Sequence, residues 1–167
     1  VNYVGKIDGW TISWPVEKDI PCPGKKQGIP ELYPEVEGIS HADFYVRATP
    51  QKKYRFGVLN KLIDALSIRA LRQMLVSRHY PGLVTLRHVD SDLKKLHIPL
   101  ITNPEAVFFF GENDERRYFM EAGKVYVINP SVPHGTSNDG NTVRAHLISR
   151  IDKDFISEAA KIDAVVE

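Results

Sequence analysis

The chain has a single cysteine, Cys22, among 167 residues, so an internal disulfide and a cysteine zinc cluster are both excluded. That usage fits a reducing, cytoplasmic setting. No apolar run approaches the roughly 18 residues needed to span a bilayer. No secretory signal pattern opens the chain, which begins with Val1. Neither sign of charge predominates, since 22 Lys and Arg stand against 21 Asp and Glu, and bulk charge therefore argues against a nucleic-acid partner. Internal repeats and low-complexity tracts are lacking as well. What remains is length enough for one domain with a sizeable core.

Residues 1–56 read as an N-terminal extension and loop. "GWTISWPV" alternates around Trp10 and Trp14 as a strand does, "DIPCPGKKQGIPELYPEVEG" is a Pro- and Gly-rich loop, and "ADFYVRATP" is a second strand stopped by Pro50. Over 57–78, Leu59, Leu62, Ile63, Leu66, Ile68, Leu71, Met74 and Leu75 recur mostly three and four apart. That spacing predicts an amphipathic supporting helix, broken by "HYPG". A β core follows over 83–152, with runs near 83–89, 94–102, 105–110, 116–120, 124–128 and 142–150. "VDSD", "TNP", "GENDE", "EAGK", "NPSVPHG" and "SNDGN" read as the turns between them. Short strands with close turns point to an antiparallel sandwich or barrel. The tail over 153–166 has an apolar period and reads as a closing helix, within a single domain spanning 1–167.

The chemistry concentrates in two stretches. "TLRHVDSD" ends a β run with His88 and Asp90 two apart, and residues at that spacing project to one side of a strand. "NPSVPHG" places His134 several strands later. Two imidazoles and one carboxylate in this disposition are what a facial iron(II) site takes, leaving positions open for further ligands. Arg144 lies ten residues after His134 in "TVRAHLISR", where alternation puts Arg144, His146 and Ile148 on one face. An arginine facing a barrel interior is costly unless it meets an anion. A guanidinium fork suits a carboxylate, such as the C5 carboxylate of 2-oxoglutarate.

These residues resemble the Fe(II)/2-oxoglutarate-dependent oxygenase superfamily. "YFMEAGKVYVINPSVPHGTSNDGNTVRAHLISRID" is similar to its aspartyl/asparaginyl β-hydroxylase-like branch, which includes proline cis-4-hydroxylase-type enzymes. Gly123, Asn129, Ser131 and His134 fill the branch's G-x-x-x-x-hydrophobic-(D/N)-x-S-x-x-H pattern, and Arg144 and Asp152 match its later Arg and Asp. "KKLHIPL" resembles the R-x-H-L-x-L strand, with Lys95 in place of the arginine and His97 in register. The likeness covers roughly 83–152. Asp90 is a departure, because the aspartyl/asparaginyl hydroxylases proper often lack the carboxylate.

The resemblance implies a mainly β fold, a double-stranded β-helix (jelly-roll or cupin-like) core with flanking helices. It implies Fe(II) on His88, Asp90 and His134, 2-oxoglutarate anchored by Arg144, and O2 as the oxidant. The activity implied is hydroxylation of an unactivated C–H bond of an amino acid or a peptide side chain, with succinate and CO2 released. Lys95, His97 and His146 are candidate cosubstrate contacts. For the two histidines a hydrogen-bonded core role is equally open, and for Lys94 and Lys95 a solvated turn is the default. His41 and His79 lie in loop-like contexts with no assigned role, Phe108–Phe110 reads as core, and 1–50 and "GENDERR" are candidates for the substrate mouth. A cupin-like metal- or small-molecule-binding module without 2-oxoglutarate chemistry remains the alternative, although it leaves Arg144 without a task.

Overall fold

The structure, a computed structural model, describes residues 2–11, 13–14, 49–50, 57–65, 72–90, 94–111, 113, 116–151 and 165–166. The strands are β1 (Tyr3–Val4), β2 (Ile7–Thr11), β3 (Ser13–Trp14), β4 (Thr49–Pro50), β5 (Arg72–His79), β6 (Leu83–His88), β7 (Lys95–Ile101), β8 (Ala106–Phe110), β9 (Arg116–Phe119), β10 (Tyr126–Ile128), β11 (His134–Asn138), β12 (Arg144–Arg150) and β13 (Val165–Val166). One helix, α1 (Gly57–Ala65), precedes β5. A five-stranded sheet runs β1-β6-β11-β8-β9 and a six-stranded sheet runs β13-β10-β7-β12-β5-β2, with β3 and β4 paired separately. From β5 to β12 the chain shuttles between the two sheets, and neighbours pair antiparallel. That order is a double-stranded β-helix, the mainly β fold implied by the sequence.

Two apolar clusters hold the sheets. Met74, Val76, Leu96, Ile98, Val127, Leu147 and Ile151 form the first, with Ile63 of α1 packed into it. Phe108, Phe110, Met120, Tyr126 and Ile128 form the second. Pro99 sits inside β7, where a residue without an N–H weakens the ladder. The register between β7 and β12 shifts there, from Ala145↔Ile101 to His146↔Pro99.

Several expectations need correction. Of the helix expected over 57–78, Gly57–Ala65 is helical, 66–71 lie outside the described residues, and Arg72–His79 is a central strand instead. β5 is buried on both faces, with Met74 and Val76 in the first cluster while Leu75, Ser77 and His79 line a cavity. A strand buried on both faces shows no polar alternation, so its apolar run mimics helical spacing. The turns read at "NPSVPHG" and "SNDGN" overrun a strand that was not foreseen, because His134–Asn138 is buried between β6 and β8. The strand expected in "GWTISWPV" falls on β2 and β3, and the N-terminal extension joins both sheets, β1 pairing with β6 and β2 with β5. The end of the expected closing helix is β13, parallel to β10. The rest of that helix, the loop over 19–38 and most of "ADFYVRATP" lie outside the described residues, as do Cys22, His41 and Asp152. No helix among the described residues is long and apolar enough to cross a membrane.

Candidate functional site

β6 carries the first ligand candidate, and an irregularity aims it. Between His134↔His88 and Thr136↔Thr85 the register of β6 against β11 shifts, so Leu86 and Arg87 together oppose Gly135. Such a bulge breaks the two-residue period and redirects side chains. As a result Thr85 and His88, three apart, both line the cavity, while Leu86 and Arg87 are exposed. On the other strand, Gly135 makes the approach possible. A Cβ there would meet the Phe109 ring and stand 2.8 Å from the Thr85 carbonyl oxygen. The turn before β11 is set locally, because the Ser131 N–H donates to Asn129 Oδ1 at 3.3 Å. The Asp90 N–H donates to the Pro130 carbonyl at 2.9 Å, which ties the Asp90 segment to that same turn.

His88, Asp90 and His134 thereby come together, with one ligand atom from each lying within 4.8 Å of the others. His88 Nε2 is 3.8 Å from Asp90 Oδ1, and His134 Nε2 is 3.8 Å from Asp90 Oδ2. His88 Nδ1 lies 2.8 Å from the Leu86 carbonyl oxygen, and His134 Nδ1 lies 2.9 Å from that of Val132. A carbonyl can only accept, so in these hydrogen bonds each Nδ1 carries the proton and each Nε2 keeps its lone pair toward Asp90. This tautomer, fixed by a carbonyl behind the ring, is the one a metal ligand requires. By donor set, spacing and tautomer the three side chains fit a divalent cation.

Lys95 donates to Asp90 Oδ2, so its ammonium is bound to the acidic member of the triad. Burial pushes the Asp90 carboxyl up, but the Lys95 hydrogen bond and charge, helped by His88 and His134, outweigh it and hold the carboxyl below its ordinary value. Burial drives His134 down, and the Val132 hydrogen bond opposes it only in part.

Arg144 forms the other end of the site. It is 2 % exposed and stacks over Phe108 at 4.8 Å. Among the described residues no carboxylate lies within ion-pair distance of it. Its N–H groups point at imidazoles instead: Nη1 donates to His79 Nδ1 at 2.7 Å, and Nε lies 3.0 Å from His146 Nε2. Burial pushes the guanidinium down to about 9, so it still carries charge at neutral pH. Burial, and then the Arg144 charge, hold His79, His97 and His146 well below the ordinary histidine value. His97 Nδ1 is 3.4 Å from His146 Nδ1, and His97 Nε2 is buried without a partner.

Both ends open into one cavity of about 370 Å³ between the sheets, walled also by Thr85, Phe108, Ile128, Thr136 and Ile148. The structure brings His88, Asp90, His134, Lys95, His97 and Arg144 to that cavity, whereas His146 does not line it and is buried against Arg144 and His97. His79, expected to have no role, is 6 % exposed and touches Arg144. In the sequence it is the first residue of "HYPG", read as the break after a helix, and reading β5 as helix hid which face it takes. Tyr3, Ile7 and Asp8 also line the cavity, so part of the 1–50 expectation for the mouth lands on β1 and β2. "GENDERR" has no residue there among those described.

The sequence model of the family described as aspartyl/asparaginyl beta-hydroxylase matches residues 39–154. No curated protein sequence matches the chain. Among solved structures it is similar to a protein described as a predicted oxalate decarboxylase from Thermotoga maritima, at 21 % identity over 62 % of this chain and 76 % of that one, with a TM-score of 0.41. A cupin domain from Bordetella pertussis gives 19 % identity, 48 % and 80 % coverage and a TM-score of 0.41. A Cupin 2 conserved barrel domain protein from Salinispora arenicola gives 16 %, 57 %, 75 % and 0.41.

Proposed function

Because the chain belongs to the aspartyl/asparaginyl β-hydroxylase family, we propose that it is an Fe(II)- and 2-oxoglutarate-dependent dioxygenase. Its substrate would be an amino acid or a peptide side chain, as in the branch that includes proline cis-4-hydroxylase-type enzymes. The observation that carries this reading is the pairing of two features in one cavity: a preset His88–Asp90–His134 triad and a buried Arg144 with no acidic partner among the described residues.

In this reading His88 Nε2, His134 Nε2 and the Asp90 carboxylate hold the iron. With 2-oxoglutarate and O2 the bound iron supplies the oxidising power, so that one oxygen atom enters the substrate as C–OH and the other enters succinate, with CO2 lost. The protein's own groups bind, orient and exclude water. Arg144 grips the distal carboxylate of the cosubstrate, whose charge offsets the guanidinium in a site where water cannot. Phe108, Ile128 and Ile148 line the path between the two ends and keep it dry. Lys95, His97 and His146 are the further candidates for cosubstrate contact. The hydrogen bond that Lys95 gives Asp90 assigns its first duty to the metal ligand instead.

That same ion pair favours the second reading, a cupin-like metal-binding module without 2-oxoglutarate, because the carboxylate is already charge-paired. One experiment separates the two. Succinate formed from 2-oxoglutarate with Fe(II) and ascorbate, together with a Mn(II)-dependent thermal shift by N-oxalylglycine, supports the oxygenase. Mn(II) binding with no response to either compound assigns the chain to the module.

A further inference from the structure

Arg144 is held in an unusual way for a buried cation. The common partner is a carboxylate, which supplies acceptors and cancels the charge together. Here the acceptors are imidazoles. His79 is opposite Arg144 in the β5–β12 ladder. Its backbone is fixed from behind, since Asn138 Nδ2 donates to the His79 carbonyl at 2.9 Å. His79 Nδ1 takes the Arg144 Nη1 proton, and Thr136 Oγ1 stands 3.4 Å from the same nitrogen. His146 presents Nε2 to Arg144 Nε and Nδ1 to Nη2, each at 3.0 Å. A neutral imidazole has one lone-pair nitrogen, so His146 satisfies only one of those two N–H groups. Arg144 also lines the cavity, where the N–H groups that no imidazole holds are left for a ligand.

We propose that His79 and His146 are positioning residues: they fix the Arg144 guanidinium by its N–H groups without cancelling its charge, and so make the cavity select a ligand with a terminal carboxylate. The identity of that ligand as 2-oxoglutarate rests on the oxygenase reading above; the charge logic of the bracket does not. Burial keeps both imidazoles neutral near pH 7. An acidic residue in either place would satisfy the guanidinium completely and leave nothing for a ligand to offset. A neutral acceptor such as glutamine would keep the site electrically open.

The full chain is compared as wild type, His79→Gln and His79→Asp. Mn(II) affinity serves as the check that the barrel is intact, and N-oxalylglycine and glutarate serve as probes. Glutarate is tested without metal. H79Q is expected to lose about fivefold in probe affinity, the worth of one imperfect hydrogen bond. H79D is expected to lose on the order of 100-fold, the effect of a misplaced charge in a buried site, while its ligand-free Tm rises above that of wild type. The proposal is overturned if H79D keeps wild-type affinity for the probes, or if H79Q loses as much as H79D. Should H79D fail to bind Mn(II), discrimination between 2-oxoglutarate and 2-oxopentanoate, which lacks the distal carboxylate, decides the matter. Retained discrimination in wild type and H79Q supports the bracket, and a ratio near one in H79Q overturns it. A wild type that responds to glutarate but not to N-oxalylglycine with Mn(II) sinks the oxygenase reading and leaves the bracket standing.

Discussion

At the scale of single residues, Arg144 is a cost the fold bears until a ligand arrives. A desolvated guanidinium whose acceptors among the described residues are neutral is less stable than an apolar side chain of the same length. Arg144→Met is therefore expected to stabilise the ligand-free protein by about 1–3 kcal/mol and to abolish the thermal shift given by N-oxalylglycine. Urea melts of the two proteins read the first effect and thermal shift the second. Lys95 sets a different balance. Its ammonium bonds the carboxylate that a divalent ion must share. Lys95→Met is expected to bind Mn(II) about threefold to tenfold more tightly, since a nearby like charge is removed. Calorimetry reads that change, and weaker binding in K95M would mean that the lysine serves mainly to orient Asp90.

At the scale of elements, β11 decides how the site assembles. It threads between β6 and β8 at a position where only glycine fits beside Phe109 and the Thr85 carbonyl. Gly135→Ala is expected to cost about 1–3 kcal/mol through overpacking and to weaken Mn(II) binding by displacing His134. A chemical melt and a metal titration check both, and a variant as stable as wild type would contradict the geometry. β11 also shows what the sequence could and could not tell. His134 and the turn before it were legible from Asn129, Ser131 and Pro133, because turn chemistry is local. The strand itself was not, since "HGTSN" contains residues that strands disfavour. Its burial comes from Thr85, His79 and Asn103, which reach Thr136 and Asn138 from elsewhere in the chain. β5 was hidden for the opposite reason, with too many apolar residues rather than too few. Strands with one exposed face or clean turn boundaries, such as β6, β8 and β9, fall within a residue or two of where the alternation placed them. His88, Asp90 and His134 were legible by residue type and spacing although β6 bulges and Asp90 lies past its end, and Arg144 by the alternation of its own strand. His79 was not, because its partner lies across a ladder that was not foreseen.

At the scale of the whole molecule, the space between the sheets is as much polar as apolar. Phe108, Phe110, Tyr126 and Ile128 are buried there beside His79, His97, His146 and Arg144. Burial, with the Arg144 charge, holds the three histidines well below the ordinary 6.5. In the unfolded chain they return to it, so below that value the unfolded state binds more protons than the folded one. Their share of the stability is therefore complete above 6.5 and is lost as pH falls from there through the depressed folded-state values. Metal-free protein is expected to melt at nearly constant temperature between about pH 7 and 8. Below about 6.5 it is expected to lose stability steeply, at up to about 1.4 kcal/mol per pH unit for each histidine. Denaturant melts across that range check this, and a flat profile down to pH 5 would contradict the burial of these rings.

The carbonyls behind His88 and His134 carry one more implication. Each ring already parks its only proton on the carbonyl two residues before it, at the nitrogen that faces away from Asp90. An arriving cation would find a lone pair ready on each ring with no ring hydrogen to expel, and at Asp90 an ammonium to share the carboxylate with. Loading the protein with Mn(II) at pH 8 should therefore give the same calorimetric enthalpy in phosphate as in Tris, two buffers that differ widely in their heats of ionisation.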